Sequence, residues 1–329
     1  MLYEQIKGVE FLPVNQEEEP AKWLDMRTQG IGGSDVGAIM GCNPFSTKLV
    51  VYMAKKGVST FNGNKSTEWG HILEDPIRKK TAEELNVQIE TVPGTFRSEE
   101  HPFMLANLDG LIYADKPLTI DDDTVDGLGG HEIKTSSKGD GWGDGEIPDS
   151  YYWQVQHYMA VTNLDWFVVT VFILSSKTAR HYIVRRNDVM IQAMLMEETK
   201  FWFENVEANN PPEPEGCDTE MELVKSLPVE CVELTDELNE IIEEREELTQ
   251  KIKDLTKQKD ILTEKIILAF VSETGTNEEK LTATTSKYNI SYNTISKSSV
   301  DTDRLKKDGL FDNYKKTIEY RSLSVKAKK

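Results

Sequence analysis

His131-Glu132-Ile133-Lys134-Thr135 is the stretch on which the reading of this chain turns. Residues two apart in a strand point to the same face, so a strand here presents Glu132 and Lys134 together and turns Ile133 into the core. A carboxylate beside an ammonium suits phosphodiester hydrolysis: hard oxygens hold Mg²⁺, and the ammonium orients the attacking water or offsets developing charge. The tripeptide is weak evidence alone, because Glu198-Thr199-Lys200 and Glu278-Glu279-Lys280 repeat its spacing in helix- or loop-like contexts. Upstream, Ala106-Asn107-Leu108-Asp109-Gly110-Leu111 sets a second carboxylate, Asp109, at a strand followed by a turn. Two other motifs fail on spacing. His131-Glu132 opens a HExxH pattern, but Thr135 stands where the second histidine belongs, and Gly30-x-Gly32 meets Asp35 where a dinucleotide fingerprint needs glycine.

Around this centre the pattern reads as an α/β core. Residues 68–86 form an amphipathic helix with Trp69, Ile72, Leu73, Ile77 and Leu85 apolar. Strand-like segments follow at about 87–97, 103–113, 130–135 and 166–174, with helices at Tyr151–Val161 and Ile191–Val206. That order implies a mixed sheet flanked by helices. The acidic run Asp121-Asp122-Asp123-Thr124-Val125-Asp126 reads as a solvated loop. Near the N-terminus, Gly30-Ile31-Gly32-Gly33-Ser34 is a glycine-rich turn entering a helix, with Ser34 as its N-cap and Asp35 in its first turn. Such a turn offers free N–H groups to a phosphate.

Composition shifts at Asn209-Asn210-Pro211-Pro212-Glu213-Pro214, so the chain divides into a domain at 1–208, a linker at 209–232, a helix at 233–272 and a small β-containing module at 273–329. The helix has a heptad pattern, with Leu234, Leu238, Ile241, Leu248, Ile252, Leu255, Leu262 and Ile266 interrupted by Arg245 and Lys259. It is expected to pair as a coiled coil or to pack on the body of the protein. Tyr288, Ile290, Tyr292 and Ile295 alternate as a strand pair does.

The 329 residues carry a net charge of −19, which counts against a nucleic-acid partner, yet residues 280–329 hold 12 basic against 5 acidic side chains. No apolar run approaches the roughly 20 residues that span a bilayer. Three scattered cysteines, Cys42, Cys217 and Cys231, fit neither a disulfide framework, a zinc ribbon nor a four-thiolate cluster. Met1–Gln5 lacks the layout of a secretory signal, so a cytoplasmic protein is expected.

Asp109, then Glu132-x-Lys134 after 22 intervening residues, preceded by Gly70-His71-Ile72-Leu73-Glu74 on a helix, resembles the restriction-endonuclease-like PD-(D/E)XK nuclease core. Arg27-Thr28-Gln29-Gly30-Ile31-Gly32-Gly33-Ser34 and Tyr151-Tyr152-Trp153-Gln154-Val155-Gln156-His157-Tyr158-Met159 sharpen that to the lambda-exonuclease-like family, of the YqaJ viral recombinase type. The five segments run in order over about residues 20–175. The resemblance implies that Asp109 and Glu132 ligate metal with the backbone carbonyl of Ile133, that Lys134 is the catalytic lysine, and that Glu74 adds a ligand directly or through water. It implies that Gln154, one turn after Tyr151, lines the same site, and that Arg27 and Ser34 grip a terminal 5′-phosphate. The implied activity is a 5′→3′ exonuclease on linear double-stranded DNA, using two Mg²⁺ ions (Mn²⁺ as substitute) and leaving 3′ single strands for a single-strand annealing or recombination protein. Relatives close into rings, so a homo-oligomer is expected. Two other readings stay open: an endonuclease or Cas4/RecB-like nuclease with the same core, and a non-catalytic DNA- or protein-binding accessory protein.

Overall fold

The computed structural model describes residues 1–14, 19–58, 65–143, 145–227, 235–270, 280–293 and 302–309, and the chain forms two compact units, Met1–Leu227 and Pro228–Lys329. The first unit opens with β1 (Val9–Leu12), α1 (Pro20–Thr28), β2 (Ile31–Gly32), α2 (Gly33–Ile39), α3 (Lys48–Lys55) and the long α4 (Lys65–Leu85). Short strands β3 (Gln88–Glu90), β4 (Thr95–Ser98) and β5 (Met104–Ala106) lead to a long hairpin of β6 (Gly110–Ile120) and β7 (Asp123–Ser136). Then come α5 (Asp149–Thr162), β8 (Trp166–Ile173), β9 (Thr178–Arg185), α6 (Asp188–Lys200) and α7 (Asp218–Ser226).

The main sheet has the order β3-β6-β7-β8-β9. Among the described strands of this sheet only the β7–β8 pair is parallel, and a parallel pair needs a crossover, which α5 supplies. Pro148 opens that helix, and Asn163, in the left-handed region at φ 55°, closes it by donating its N–H to the Met159 carbonyl. Buried on both faces, β8 is apolar apart from Thr170. Phe167, Val169, Val171 and Ile173 join the large core with Val155, Met159, Met194 and Phe201, while Trp166 and Val168 pack with Ile112, Ala114 and Val125 on the other face. Helices therefore cover a mixed sheet, the expected fold class.

The acidic run differs from its reading. Asp121 and Asp122 form the tight turn of the β6–β7 hairpin, with Ile120 opposite Asp123, and Leu118 and Val125 are buried. The distance from Asp109 to Glu132 is thus filled by sheet, because buried residues recur between the acids. Strands β1 and β9 were not anticipated; β9 is an edge strand whose Thr178, Arg180 and His181 mask its alternation. On α4 only part of the expected apolar face is covered: Ile77 is buried, whereas Trp69 and Ile72 are more than half exposed. The helix read through Val206 widens at Phe201–Glu207 into π-type turns that bury Phe201, Trp202 and Val206.

The segment expected as linker contains α7, and the first unit extends through it. Glu220 accepts hydrogen bonds from the Glu215 and Gly216 N–H groups at 3.0 and 2.9 Å and from the Thr47 hydroxyl at the start of α3. In the second unit, α8 (Leu238–Leu268) has no buried residue, β10 (Lys280–Thr284) and β11 (Asn289–Asn293) pair antiparallel, and α9 (Thr302–Lys307) follows. Leu234 and Ile295 lie outside the described residues. No helix among the described residues is long and apolar enough to cross a membrane.

Candidate active site

Strand alternation sets Glu132 and Lys134 on one face of β7, under α5, as expected. The Lys134 Nζ lies 2.6 Å from Glu132 Oε1, and Ile133 between them is buried at 8% exposure. Asp109 sits at the entry to β6, which pairs Gly110 with His131, so the antiparallel register brings it to β7. Its Oδ2 accepts the Ile133 N–H at 2.7 Å. Gln154, on the first turns of α5, donates to Glu132 Oε1 at 2.7 Å and contacts the Tyr158 hydroxyl at 2.9 Å. The Lys134 ammonium stands 4.8 Å from the Tyr151 ring centroid, and Tyr151 stacks on Trp142 at 5.4 Å. Gln156 faces elsewhere, bonded to the Arg185 carbonyl and the Asn187 N–H.

The electrostatics are unbalanced. Burial raises the Glu132 carboxyl above its ordinary value, the Asp109 charge raises it further, and Lys134 only partly offsets both. Burial likewise raises Asp109, against the pull of Lys134 and the Ile133 N–H. For Lys134, burial acts downward, but Glu132 and Asp109 outweigh it and hold the amine protonated. Glu132 Oε2 is buried with no hydrogen-bond partner.

Glu74 is tied to the pair of acids through a residue that sequence reasoning missed, and its charge adds to those that raise Glu132. Arg78, one turn further along α4, binds Glu74 Oε1 at 2.7 Å and donates from Nε to the Asp109 carbonyl at 3.1 Å. The i,i+4 spacing of Glu74 and Arg78 was the available signal. Among the described residues no three His, Cys, Asp or Glu side chains converge as a metal cluster.

The structure brings Arg27 and Ser34 together: the Arg27 guanidinium donates to Ser34 Oγ at 3.0 Å and lies over the Trp23 ring at 4.8 Å. Ser34 is not the N-cap. The helix starts at Gly33, and Asp35 takes the Gly32 N–H at 2.9 Å, because its carboxylate reaches back one turn. Asp35 is itself neutralised by Lys55, a second missed residue, whose buried ammonium lies 2.6 Å from Oδ2 and donates to the Arg27 carbonyl at 2.9 Å. Burial raises the Asp35 carboxyl, but Lys55 and Arg27 outweigh it and hold it low. Gly33 ties this turn to α5: a Cβ there would sit 2.4 Å from the Tyr158 ring and 3.0 Å from Gln154 Cγ. Only glycine permits that approach.

Residues 22–165 match the family model of the YqaJ-like viral recombinase domain. Over 225 residues the chain is 30% identical to the uncharacterized protein YqaJ of Bacillus subtilis (strain 168), covering 67% of this chain and 66% of that protein, just under two thirds of its length. Among solved structures it is similar to an alkaline exonuclease (LHK-Exo) from Laribacter hongkongensis, with 19% identity, TM-score 0.46, and coverage of 57% of this chain and 93% of the other. A phage-related exonuclease from Haemophilus somnus 129PT gives 14% identity and TM-score 0.38, with coverage of 57% and 99%. The family match spans the glycine turn, both acids, the lysine and α5, so residues 22–165 are similar to the YqaJ-like viral recombinase domain, and the longer stretch matched by YqaJ is similar to that protein.

Proposed function

We propose that this protein is a Mg²⁺-dependent deoxyribonuclease that digests linear double-stranded DNA from 5′ ends and leaves 3′ single strands. The observation that carries the reading is the convergence of Asp109, Glu132 and Lys134, with Glu132 Oε2 buried and unpartnered. A buried acceptor without a partner costs roughly 1–3 kcal/mol. A hard cation at that oxygen removes the cost and relieves the repulsion between two desolvated acids. Asp109, Glu132 and the Ile133 carbonyl are an all-oxygen set of the kind Mg²⁺ takes, with Mn²⁺ as substitute. The ion, when bound, supplies polarisation of the scissile phosphate and a lowered pKa for the attacking water.

The remaining work falls to side chains of the chain itself. Lys134, 2.6 Å from Glu132 Oε1, is placed to donate hydrogen bonds that orient the water and offset charge developing on the phosphate. Tyr151, backed by Trp142, and Glu132 confine that ammonium from two sides. Gln154 fixes Glu132 Oε1 and leaves Oε2 for the cation. We assign the first ion to Asp109, Glu132 and the Ile133 carbonyl, and a second to the side of Glu74, whose Oε1 is paired with Arg78. Arg27 and Ser34 take the 5′-phosphate, and Lys55 cancels Asp35 so that the guanidinium charge is left to the ligand. Ring assembly around DNA and delivery of the 3′ strand to an annealing protein belong to the same reading, as do a nuclease domain within the first unit and a basic C-terminal module.

End-labelled linear duplexes with and without a 5′-phosphate, set beside a covalently closed circle, test this in Mg²⁺. Loss of label from 5′-phosphorylated linear DNA is expected, with the circle intact and Arg27→Ala indifferent to the phosphate. Equal cutting of the circle, or full activity of Lys134→Ala, overturns the reading.

A further inference from the structure

The long helix of the second unit carries an apolar seam that no described residue of that unit buries. Along α8 the seam positions alternate in steps of three and four: Leu238, Ile241, Arg245, Leu248, Ile252, Leu255, Lys259, Leu262 and Ile266. Ile241, Leu248, Ile252, Leu255, Leu262 and Ile266 are each 50–65% exposed, along a helix about 46 Å long. We propose that this seam pairs with the α8 of a second copy of the chain, in antiparallel orientation. The inference is independent of the nuclease reading.

Charge complementarity names the occupant and its direction. In heptad terms Leu238, Arg245, Ile252, Lys259 and Ile266 occupy a positions, and Ile241, Leu248, Leu255 and Leu262 occupy d positions. A parallel pair stacks equivalent a residues on one another, which places Arg245 against Arg245 and Lys259 against Lys259 inside the seam. An antiparallel pair opposes a to d, so that Arg245 meets Leu262 and Lys259 meets Leu248, and each long stem covers apolar surface while its charge reaches the edge. The flanks agree. Residues 238–252 carry five acidic and two basic side chains, whereas 253–268 carry four basic and three acidic, so antiparallel pairing sets acidic half against basic half. Across one flank Glu244 then faces Lys265, and by symmetry the contact forms twice.

Sedimentation or light scattering of the full chain over a concentration series tests the proposal. Leu248→Asp combined with Leu255→Asp is expected to halve the mass of the assembled species while the first unit keeps its melting transition. An unchanged mass overturns the proposal. The orientation has its own test. Glu244→Lys and Lys265→Glu are each expected to weaken dimerisation several-fold, and the double reversal is expected to restore it. In a parallel pair these residues stand 21 positions, or about 31 Å, apart and do not couple. Failure of the double variant to recover overturns the antiparallel arrangement.

Discussion

Two buried sets of acids and a lysine lie within the first unit, and they are built on opposite terms. Beside the glycine turn one acid meets one lysine. Asp35 has both oxygens engaged, by Lys55 and the Gly32 N–H on one side and Arg27 on the other. Under α5 two acids share one lysine, and one oxygen of Glu132 has no partner. A folded chain closes a charge set that is there for structure, since an unmatched buried group is costly. An orphaned oxygen alone does not mark a ligand site, since Glu198 Oε2 is buried and unpartnered too; the second set stands out by placing two desolvated acids against one lysine. The first set shapes the turn that presents Arg27; the second is the one we propose a cation completes.

Substitution separates the two. Lys134→Ala is expected to lower nuclease turnover about 10²–10³-fold, measured on end-labelled duplex in Mg²⁺, with a stability loss that added Mg²⁺ largely makes up. Lys55→Met strands the Asp35 carboxylate in the interior and is expected to cost about 3–5 kcal/mol of stability, read by denaturant unfolding. A stability loss in Lys134→Ala that Mg²⁺ does not relieve would erase the contrast. Mg²⁺ at a hundred times its dissociation constant is expected to add about 2.7 kcal/mol to the first unit. Glu132→Gln should abolish that increment while Asp35→Asn retains it, both followed as thermal shifts.

The smallest effect belongs to a third buried pair. His157 Nδ1 lies 2.8 Å from Glu198, and Nε2 faces the Leu105 carbonyl at 2.9 Å. Burial acts to lower the ring, but Glu198 and these hydrogen bonds outweigh it, so its folded value stands above the unfolded one of 6.5. The pair's contribution is therefore full below pH 6.5 and is lost as pH rises through the folded value. Glu198→Gln is expected to flatten that fall, measured by urea midpoints between pH 6 and 9.

Much of this was legible along the chain. Period-two alternation places Glu132 with Lys134, and helical spacing puts Gln154 one turn past Tyr151. Residues whose role depends on another element were not legible. Lys55 sits in an apolar helix whose pattern reveals nothing of Asp35, 20 positions earlier, and Arg78 reads as one surface arginine among others until β6 brings the Asp109 carbonyl to it. The acidic hairpin misled for the opposite reason: local charge said solvent, whereas its alternate residues Leu118 and Val125 had a core to fill.

What the order of residues fixes is therefore local: which side chains share a face, where a turn needs glycine, and which nuclease family the motifs resemble. Folding adds the charge balance. Whether an acid is matched, as at Asp35, or left with an open oxygen, as at Glu132, depends on which elements pack beside it and how much water they exclude, because desolvation and Coulomb attraction act through space and not along the chain.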